Sequence, residues 1–391
     1  MAARRPPNRK ALIRAAAAEL FLQRGYHNVS VTDVADSLGI TASALYHHYR
    51  NKQDLLLHTV LGSLDTVDAL IGEAGDLEAA LTALAALVTG ERGVLAVWER
   101  EARNLEDTQR AAILEHEIEV VARLVPLLRA ERPELGEPEA HLLARAVLGT
   151  LGSRVRHRIA LPRRRHEQLM LRVASAAAHA PLRTEAVPPG PHPRETGGST
   201  GSPGLRIPRR EQLLTEAIRL FDERGFQSVT MADIGEAGGI VASGVYRHFP
   251  RKSDLLIAAV NRGGERIRTS VETALDRAAD PGEALELLLR AHIAVSLEQT
   301  HLMGILSNER DQLPDRERTA LRRLQADYLD VWVQALGSVL PGREPAELKI
   351  IVHAVHGMIY FTVRVGRTHP WPDLSQHLRD LGMAVLTRTG C

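Results

Sequence analysis

Apolar residues recur along the chain at three- and four-residue steps. Leu12, Ala16 and Leu20 mark one such face, and Leu213, Ala217 and Leu220 mark another two hundred positions on, the spacing of an amphipathic helix. Gly25 and Gly225 follow the last periodic residues, where a left-handed C-terminal cap is expected. Ser30-x-x-Asp33 and Thr230-x-x-Asp233 then read as capping boxes that open a short second helix. That helix ends at Gly39 or Gly239. After a tight turn, a third helix carries Ser43-Ala44-Leu45-Tyr46-His47-His48-Tyr49 in one place and Ser243-Gly244-Val245-Tyr246-Arg247-His248-Phe249 in the other, and Lys52 or Lys252 starts a long fourth.

The recurrence is a true internal repeat. Residues 9–60 and 209–260 align without a gap, and 19 of the 52 pairs are identical, so the architecture has to be read as a duplication. A weaker match at a shift of 208 pairs Glu101 with Glu309, Leu105 with Leu313, Gly149 with Gly357, Val155 with Val363 and Arg156 with Arg364. Between the copies, residues 182–205 hold five Pro and five Gly in 24 positions, the composition of a tether. The expected organisation is a helix-turn-helix domain over 1–51, a helical pairing and ligand-binding domain over 52–181, the linker 182–205, a second helix-turn-helix domain over 206–251 and a second helical domain over 252–391.

Composition sharpens this picture by exclusion. Ala and Leu outnumber the β-branched and aromatic residues that strands favour, so the fold class expected for the 391 residues is all-α. The lone cysteine, Cys391, excludes an internal disulfide and thiolate metal sites. No cofactor or metal is expected. No membrane span or secretory leader is expected either, which leads to a cytoplasmic, nucleoid-associated expectation. The chain lacks a Gly-rich phosphate loop, a G-x-S-x-G elbow and an H-E-x-x-H pair, so an enzyme is not expected. Net charge is only +1, and a nucleic-acid partner therefore has to be sought in local basic surface.

An amphipathic helix followed by a short helix, a glycine turn and another short helix is the arrangement that lays its last member in the DNA major groove. Thr32-Asp33-Val34-Ala35, Gly39-Ile40, Tyr46-His47-His48-Tyr49, Lys52 and Leu55 resemble the signature of TetR-type regulators. Met231-Ala232-Asp233-Ile234, Gly239-Ile240, Tyr246-Arg247-His248-Phe249, Lys252 and Leu255 repeat it. The whole chain resembles two TetR/AcrR-type units fused head to tail. That resemblance implies a ligand-responsive repressor with a double-stranded DNA operator and a small-molecule effector as partners. It also implies a ligand cavity among the later helices and pairing through the last two helices of each unit.

DNA contacts are expected from Ser30, Thr32, Thr41, Ala42, Ser43, Ala44, Tyr46, His47, His48 and Lys52 in the first copy. In the second copy they are expected from Thr230, Ala242, Ser243, Gly244, Tyr246, Arg247, His248 and Lys252. Tyr46 and Tyr246 would bond phosphate or pack their rings on the first helix. Lys52 and Lys252 stand at a helix N-terminus suited to phosphate, and the start of the third helix can reach base edges. Phe21, Phe221, Leu45, Val245, Tyr49 and Phe249 are expected in the core.

The copies differ in ways that bear on mechanism. Residues 1–60 carry eight Lys+Arg against four acids, and 204–260 carry eight against seven. Val241 replaces Thr41 and removes an N-cap oxygen worth about 1 kcal/mol. Gly235 replaces Ala35 at about 0.5–1 kcal/mol, so the second reader is expected to be the less rigid. Arg247, in place of His47, could take a guanine bidentately.

Helices over about 138–158, 166–180, 345–366 and 373–388 form the expected pairing surface, with Ala146, Gly149, Gly152 and Ser153 suited to close approach. Trp98, Met303, Trp332, His356, Tyr360 and Arg364 are candidate ligand residues, weighed against plain packing; His353 is weighed with them. The run Arg154, Arg156, Arg158 and Arg163–Arg165 is expected to be a solvated helix end. An internal pseudo-dimer on an asymmetric operator follows, with further self-association possible. The rival reading is a sensor or protein-interaction module in which only the first helix-turn-helix binds DNA.

Overall fold

The first four helices of each copy begin within a residue or two of where the periodicity and caps put them. A computed structural model describes residues 9–90, 97–98, 101–157, 159–182, 207–365, 371 and 373–389. The first copy contains α1 (Arg9–Arg24), α2 (Val31–Ser37), α3 (Ala42–Tyr46), α4 (Lys52–Gly72), α5 (Leu77–Gly90), α6 (Asp107–Glu131), α7 (Glu137–Gly152) and α8 (Arg163–Ala178). The second contains α9 (Arg209–Arg224), α10 (Met231–Ala237), α11 (Ala242–His248), α12 (Lys252–Arg277), α13 (Pro281–Glu298), α14 (Thr300–Asn308), α15 (Asp315–Val339), α16 (Pro345–Val365) and α17 (Leu374–Arg388). Among the described residues there is no strand, and the fold is all-α. The expected linker, apart from residue 182, lies outside the described residues, as do Arg4 and Arg5 of the first copy's basic balance and Arg158.

Both capping boxes form. The Ser30 hydroxyl accepts from the Asp33 amide at 3.0 Å, and the Ser30 amide donates back to the Asp33 carboxylate at 2.6 Å. Thr230 and Asp233 repeat this at 3.1 and 2.7 Å. The helix exits differ from expectation. Gly25 and Gly225 have φ of 79° and 77°, but ψ is 147° at both, outside the left-handed helical well. That combination is essentially restricted to glycine, and it sends the next residue off in an extended direction.

Contacts divide the chain into two compact units, one of residues 1–180 with 353–362, the other of residues 181–352 with 363–390. In the first unit α1 packs on α4, α4 on α6, and α7 on both α6 and α8. Every residue of α7 from Leu142 to Gly152 is buried. α7 ends sooner than expected, passing at Ser153–Arg156 into a 3-10 turn where the Ser153 hydroxyl donates to the Thr150 carbonyl at 2.6 Å. Small residues permit a close approach here. A Cβ on Gly149 would stand 2.8 Å from Met358 Cα, and one on Gly357 would stand 2.7 Å from Ser153 Cβ.

In the second unit the three reader helices share one apolar core with the helices that follow. Phe221, Val245 and Phe249 are buried in the same cluster as Leu256, Ile305, Leu306 and Leu321. At roughly 1.5–3 kcal/mol per buried large side chain, this core ties the first three helices of the copy to those that follow. Phe21, Leu45 and Tyr49 are likewise buried in the first unit. The basic run is not uniformly solvated. Arg163 and Arg164 are exposed, but Arg154 is buried and donates to the His157 carbonyl at 3.1 Å, because the 3-10 turn folds it inward.

Candidate nucleic-acid interface

The two readers are alike to an unusual degree. From residue 27 to residue 47, each position is buried, half-buried or exposed just as its partner 200 positions later is. Exposure therefore belongs to the backbone arrangement, and side-chain identity alone separates the two surfaces. Gly39 and Gly239, with φ of 63° and 68°, make the turn that sets α3 against α2 and α11 against α10.

The structure sorts the expected DNA-binding residues into two groups. Thr32, Ser43, Tyr46 and His47 are exposed on one reader, and Ser243, Tyr246, Arg247 and His248 on the other. Tyr46 and Tyr246 are 53% and 52% exposed, and neither hydroxyl has a partner among the described residues. Packing on the first helix does not account for them. Ala42, Ala44, Ala242 and Gly244 are half-buried beside them, small enough to bring a duplex backbone close. His48 is half-buried, its ring 6.5 Å from that of Tyr49.

The second group is hydrogen-bonded within the chain, although Ser30, Thr41 and Thr230 are exposed. Ser30 and Thr230 hydroxyls donate to the capping carboxylates at 2.5 and 2.6 Å, which holds Asp33 and Asp233 below the ordinary carboxylate range. The Thr41 hydroxyl accepts from the Ala44 amide at 3.2 Å, and Val241 leaves the matching helix without a side-chain cap.

Lys252 does not face outward. Its ammonium donates to the carbonyls of Phe226, Gln227 and Val229 at 2.7, 3.3 and 2.8 Å, and lies 4.4 Å from the centre of the Phe226 ring. Three protons meet three acceptors, leaving none for phosphate. Lys52 makes a looser version, 3.4 Å from the His27 carbonyl and 4.2 Å from the Tyr26 ring. Burial lowers the pKa of both ammoniums, while nearby carboxylates, among them Glu101 and Glu309, oppose the shift.

Glu101 and Glu309 attract these ammoniums and also anchor the adjoining backbone. Both are buried, and each accepts the amide that follows the helix-exit glycine, Tyr26 N–H or Phe226 N–H, at 3.2 Å. The reader is thus bonded to the segment entering α6 or α15 at equivalent places in both units. The internal repeat pairs these two glutamates but gives neither a role, and the extended glycine exit is what aims the amide at them.

The expected rigidity difference takes another form. A Cβ on Gly235 would stand 2.7 Å from the Ile240 carbonyl oxygen. The glycine therefore closes the turn, with Ile240 N–H donating to the Gly235 carbonyl at 2.8 Å against 3.0 Å for Ile40 and Ala35. Uncapped α11 is also the longer third helix, at seven residues against five.

Of the six candidate ligand residues, Trp98, His356 and Tyr360 belong to the first unit and Met303, Trp332 and Arg364 to the second. Trp98 lies in the first unit, its ring 6.4 Å from Phe361. Met303 packs against the core of the second reader. His356 is half-buried and Tyr360 buried on α16. Trp332 is fully buried beside His292 and Tyr328, where the His292 ring nitrogen lies 2.8 Å from the Tyr328 hydroxyl. Burial pushes His292 down to about 4 and raises Tyr328 well above a free phenol. At the shift of 208, Tyr328 and Trp332 correspond to Val120 and Leu124, so the first copy fills the same place with aliphatic side chains.

Arg364 donates to Asp222 at 2.6 Å, and His301 bonds the other oxygen of that carboxylate at 2.9 Å. Burial alone would raise the pKa of Asp222, but the His301 hydrogen bond and the Arg364 charge outweigh it and hold the group ionised. This network joins α9, α14 and α16 within the second unit. Its signal in the sequence is an acid on an otherwise apolar helix face, where the first copy has Leu22.

Comparison with known proteins agrees with the geometry. Residues 13–59 and 213–259 each match the family described as bacterial regulatory proteins, tetR family. The chain is 30% identical over 152 residues to the HTH-type transcriptional repressor KstR2 of Rhodococcus jostii (strain RHA1), covering 36% of this chain and 67% of that protein. It is 25% identical over 180 residues to the HTH-type transcriptional regulator LmrA of Bacillus subtilis (strain 168), covering 44% of this chain and 95% of that one. Among solved structures, the ketosteroid regulator KstR2 of Mycobacterium tuberculosis aligns at 22% identity with a TM-score of 0.41, covering 47% of this chain and 95% of that one.

Proposed function

This chain belongs to the tetR family of bacterial regulatory proteins, and from that premise we propose that it is a ligand-responsive repressor acting as a single-chain pseudo-dimer on an asymmetric operator. The carrying observation is that two readers of matched exposure present different side chains at the same places, Thr41 against Val241, Ala44 against Gly244 and His47 against Arg247. A homodimer reads a palindrome because its readers are copies. These are not, so the two half-sites differ, and the one met by Arg247 carries a guanine.

Support for internal pairing comes from the first unit, which takes in residues 353–362 and packs Gly149 against them. A 24-residue tether with a root-mean-square span of about 27 Å gives a local concentration in the millimolar range, favouring pairing within a chain over pairing between chains. Repression is steric: the readers occupy major-groove segments roughly 34–36 Å, or a multiple of that, apart. An effector that moves α4 or α12 shifts the readers, and each bias of about 1.4 kcal/mol changes occupancy tenfold. The protein acts by binding and catalyses no reaction, and its partner DNA places that action in the cytoplasm at the nucleoid.

Selection of bound fragments from random DNA, followed by footprinting, tests the reading. One chain per site and two unlike half-sites are expected. Two identical inverted half-sites, or two chains per operator, would overturn it. The second reading, with only the first reader competent, is favoured by the lower basic balance of 204–260. It predicts a fall of log affinity with log salt about half as steep as two working readers would give.

A further inference from the structure

α12 and α13 enclose a groove of about 460 Å³ on the second unit. Three arginines reach it, Arg266 and Arg277 from α12 and Arg290 from α13. Arg290 is held by Glu286 at 2.7 Å. Arg266 and Arg277 are exposed and make no ion pair among the described residues. Glu298 is the one acid that lines the groove, so its lining carries three cations against one anion.

The wall is apolar. Leu287, Ala291 and Val295 follow one another at four-residue steps along α13 and are half-buried, facing buried Ala274 across the groove. The hydroxyls of Ser270 and Thr273 donate to carbonyls of their own helix at 2.8 Å, so the charged donors left without an ion pair on the lining are Arg266 and Arg277. A cleft of this size suits a small organic ligand, and an apolar wall beneath uncommitted guanidiniums suits one with an aliphatic part and an anionic head.

The matching helices of the first copy carry no such cations. Residues 53–91, which cover α4 after its first residue and all of α5, contain no Lys or Arg, whereas residues 253–299 contain five Arg. The cationic lining is thus particular to one half of a duplicated chain.

We infer that the groove between α12 and α13 is an effector site for an anionic amphiphile, a carboxylate or phosphate head on a short aliphatic tail, and that only the second unit has it. The inference rests on the regulator reading above for its consequence, because α12 begins at Lys252, whose ammonium is bonded to the loop after the reader's first helix. A ligand that draws the far end of α12 toward α13 acts on the reader through that bond.

The test uses the full-length protein and four monomeric probes, octyl phosphate, octanoate, octanol and inorganic phosphate, in titration calorimetry. Octyl phosphate or octanoate is expected to bind at least tenfold more tightly than octanol or inorganic phosphate, and which head wins identifies the source of the charge. The double variant Arg266→Gln/Arg277→Gln should weaken that binding at least tenfold. Ala291→Trp, which fills the groove from its wall, should abolish it while the circular dichroism and melting profile stay those of the parent. Equal binding of octanol, or binding indifferent to both variants, overturns the inference. Operator affinity without probe is measured separately: a chain that binds the amphiphile but no DNA refutes the regulator reading and leaves the groove assignment standing. A chain that binds DNA but no amphiphile does the reverse.

Discussion

The two halves of this chain diverge in opposite ways at their two ends. Their readers keep the same exposure at every position from 27 to 47 and its partner, while their later helices bury different chemistry in matching places, Val120 and Leu124 against Tyr328 and Trp332. On the reading proposed above, a reader is constrained by the shape of the duplex, which is the same at both half-sites. A sensor core is constrained only to be filled, and polar aromatic residues fill it as well as aliphatic ones provided their polar atoms are partnered.

The largest expected contrast is acid sensitivity. In the folded protein burial lowers the pKa of His292 to about 4, whereas the unfolded chain takes up its proton near the ordinary 6.5. Stability present above that pH is lost as the pH falls from 6.5 toward 4, by on the order of 3 kcal/mol. Urea unfolding of His292→Leu at pH 7 and pH 4.5 should show that loss largely removed. An unchanged acid limb would mean that His292 is not its source.

Asp222→Leu, which installs the first copy's residue, should cost about 2–3 kcal/mol at pH 7, because Arg364 and His301 lose their shared anion while keeping some access to water. Adding Arg364→Leu should recover part of the loss, read as a coupling energy in the double-mutant cycle. The Asp222 carboxyl is held below its usual range, so its contribution is present above about pH 4 and disappears as pH falls through the lowered value.

Lys252→Met should destabilise by about 2 kcal/mol and Lys52→Met by about 1, since the first loses three carbonyl bonds and the second one long one. Equal losses would erase this distinction. If Lys52 also reaches phosphate, its variant lowers the salt slope of operator binding by about one unit, and Lys252→Met leaves the slope alone. The smallest effect is expected from Val241→Thr, which restores the missing cap and should add about 1 kcal/mol to the melting stability of the second unit.

The amino-acid sequence makes much of this legible, but unevenly. Periodicity and capping boxes locate the first four helices of each copy because those signals are local, and the 200-residue repeat supports each of these by its twin. Burial of Phe21, Phe221, Leu45 and Val245 follows from the same spacing. What escapes a reading of the sequence is long-range. The inward turn of Lys252 depends on carbonyls 23–26 residues away and on Glu309, far along the chain, and no helical pattern links them. Asp222 finds its partners on α14 and α16, 79 and 142 residues distant. Gly235 reads as a loss of helix propensity because its closeness to the Ile240 carbonyl is a property of the turn and not of the helix.

Gly149 meets the backbone near Met358, and Gly357 meets Ser153. In an assembly of identical chains any replacement at such a seam arrives twice, so bulk added on one side is added on the other as well. Under the single-chain pairing proposed above it arrives once. A larger residue on either helix can be answered by a smaller one opposite, and a fused chain gains a route for refining its own fit that self-pairing proteins do not have.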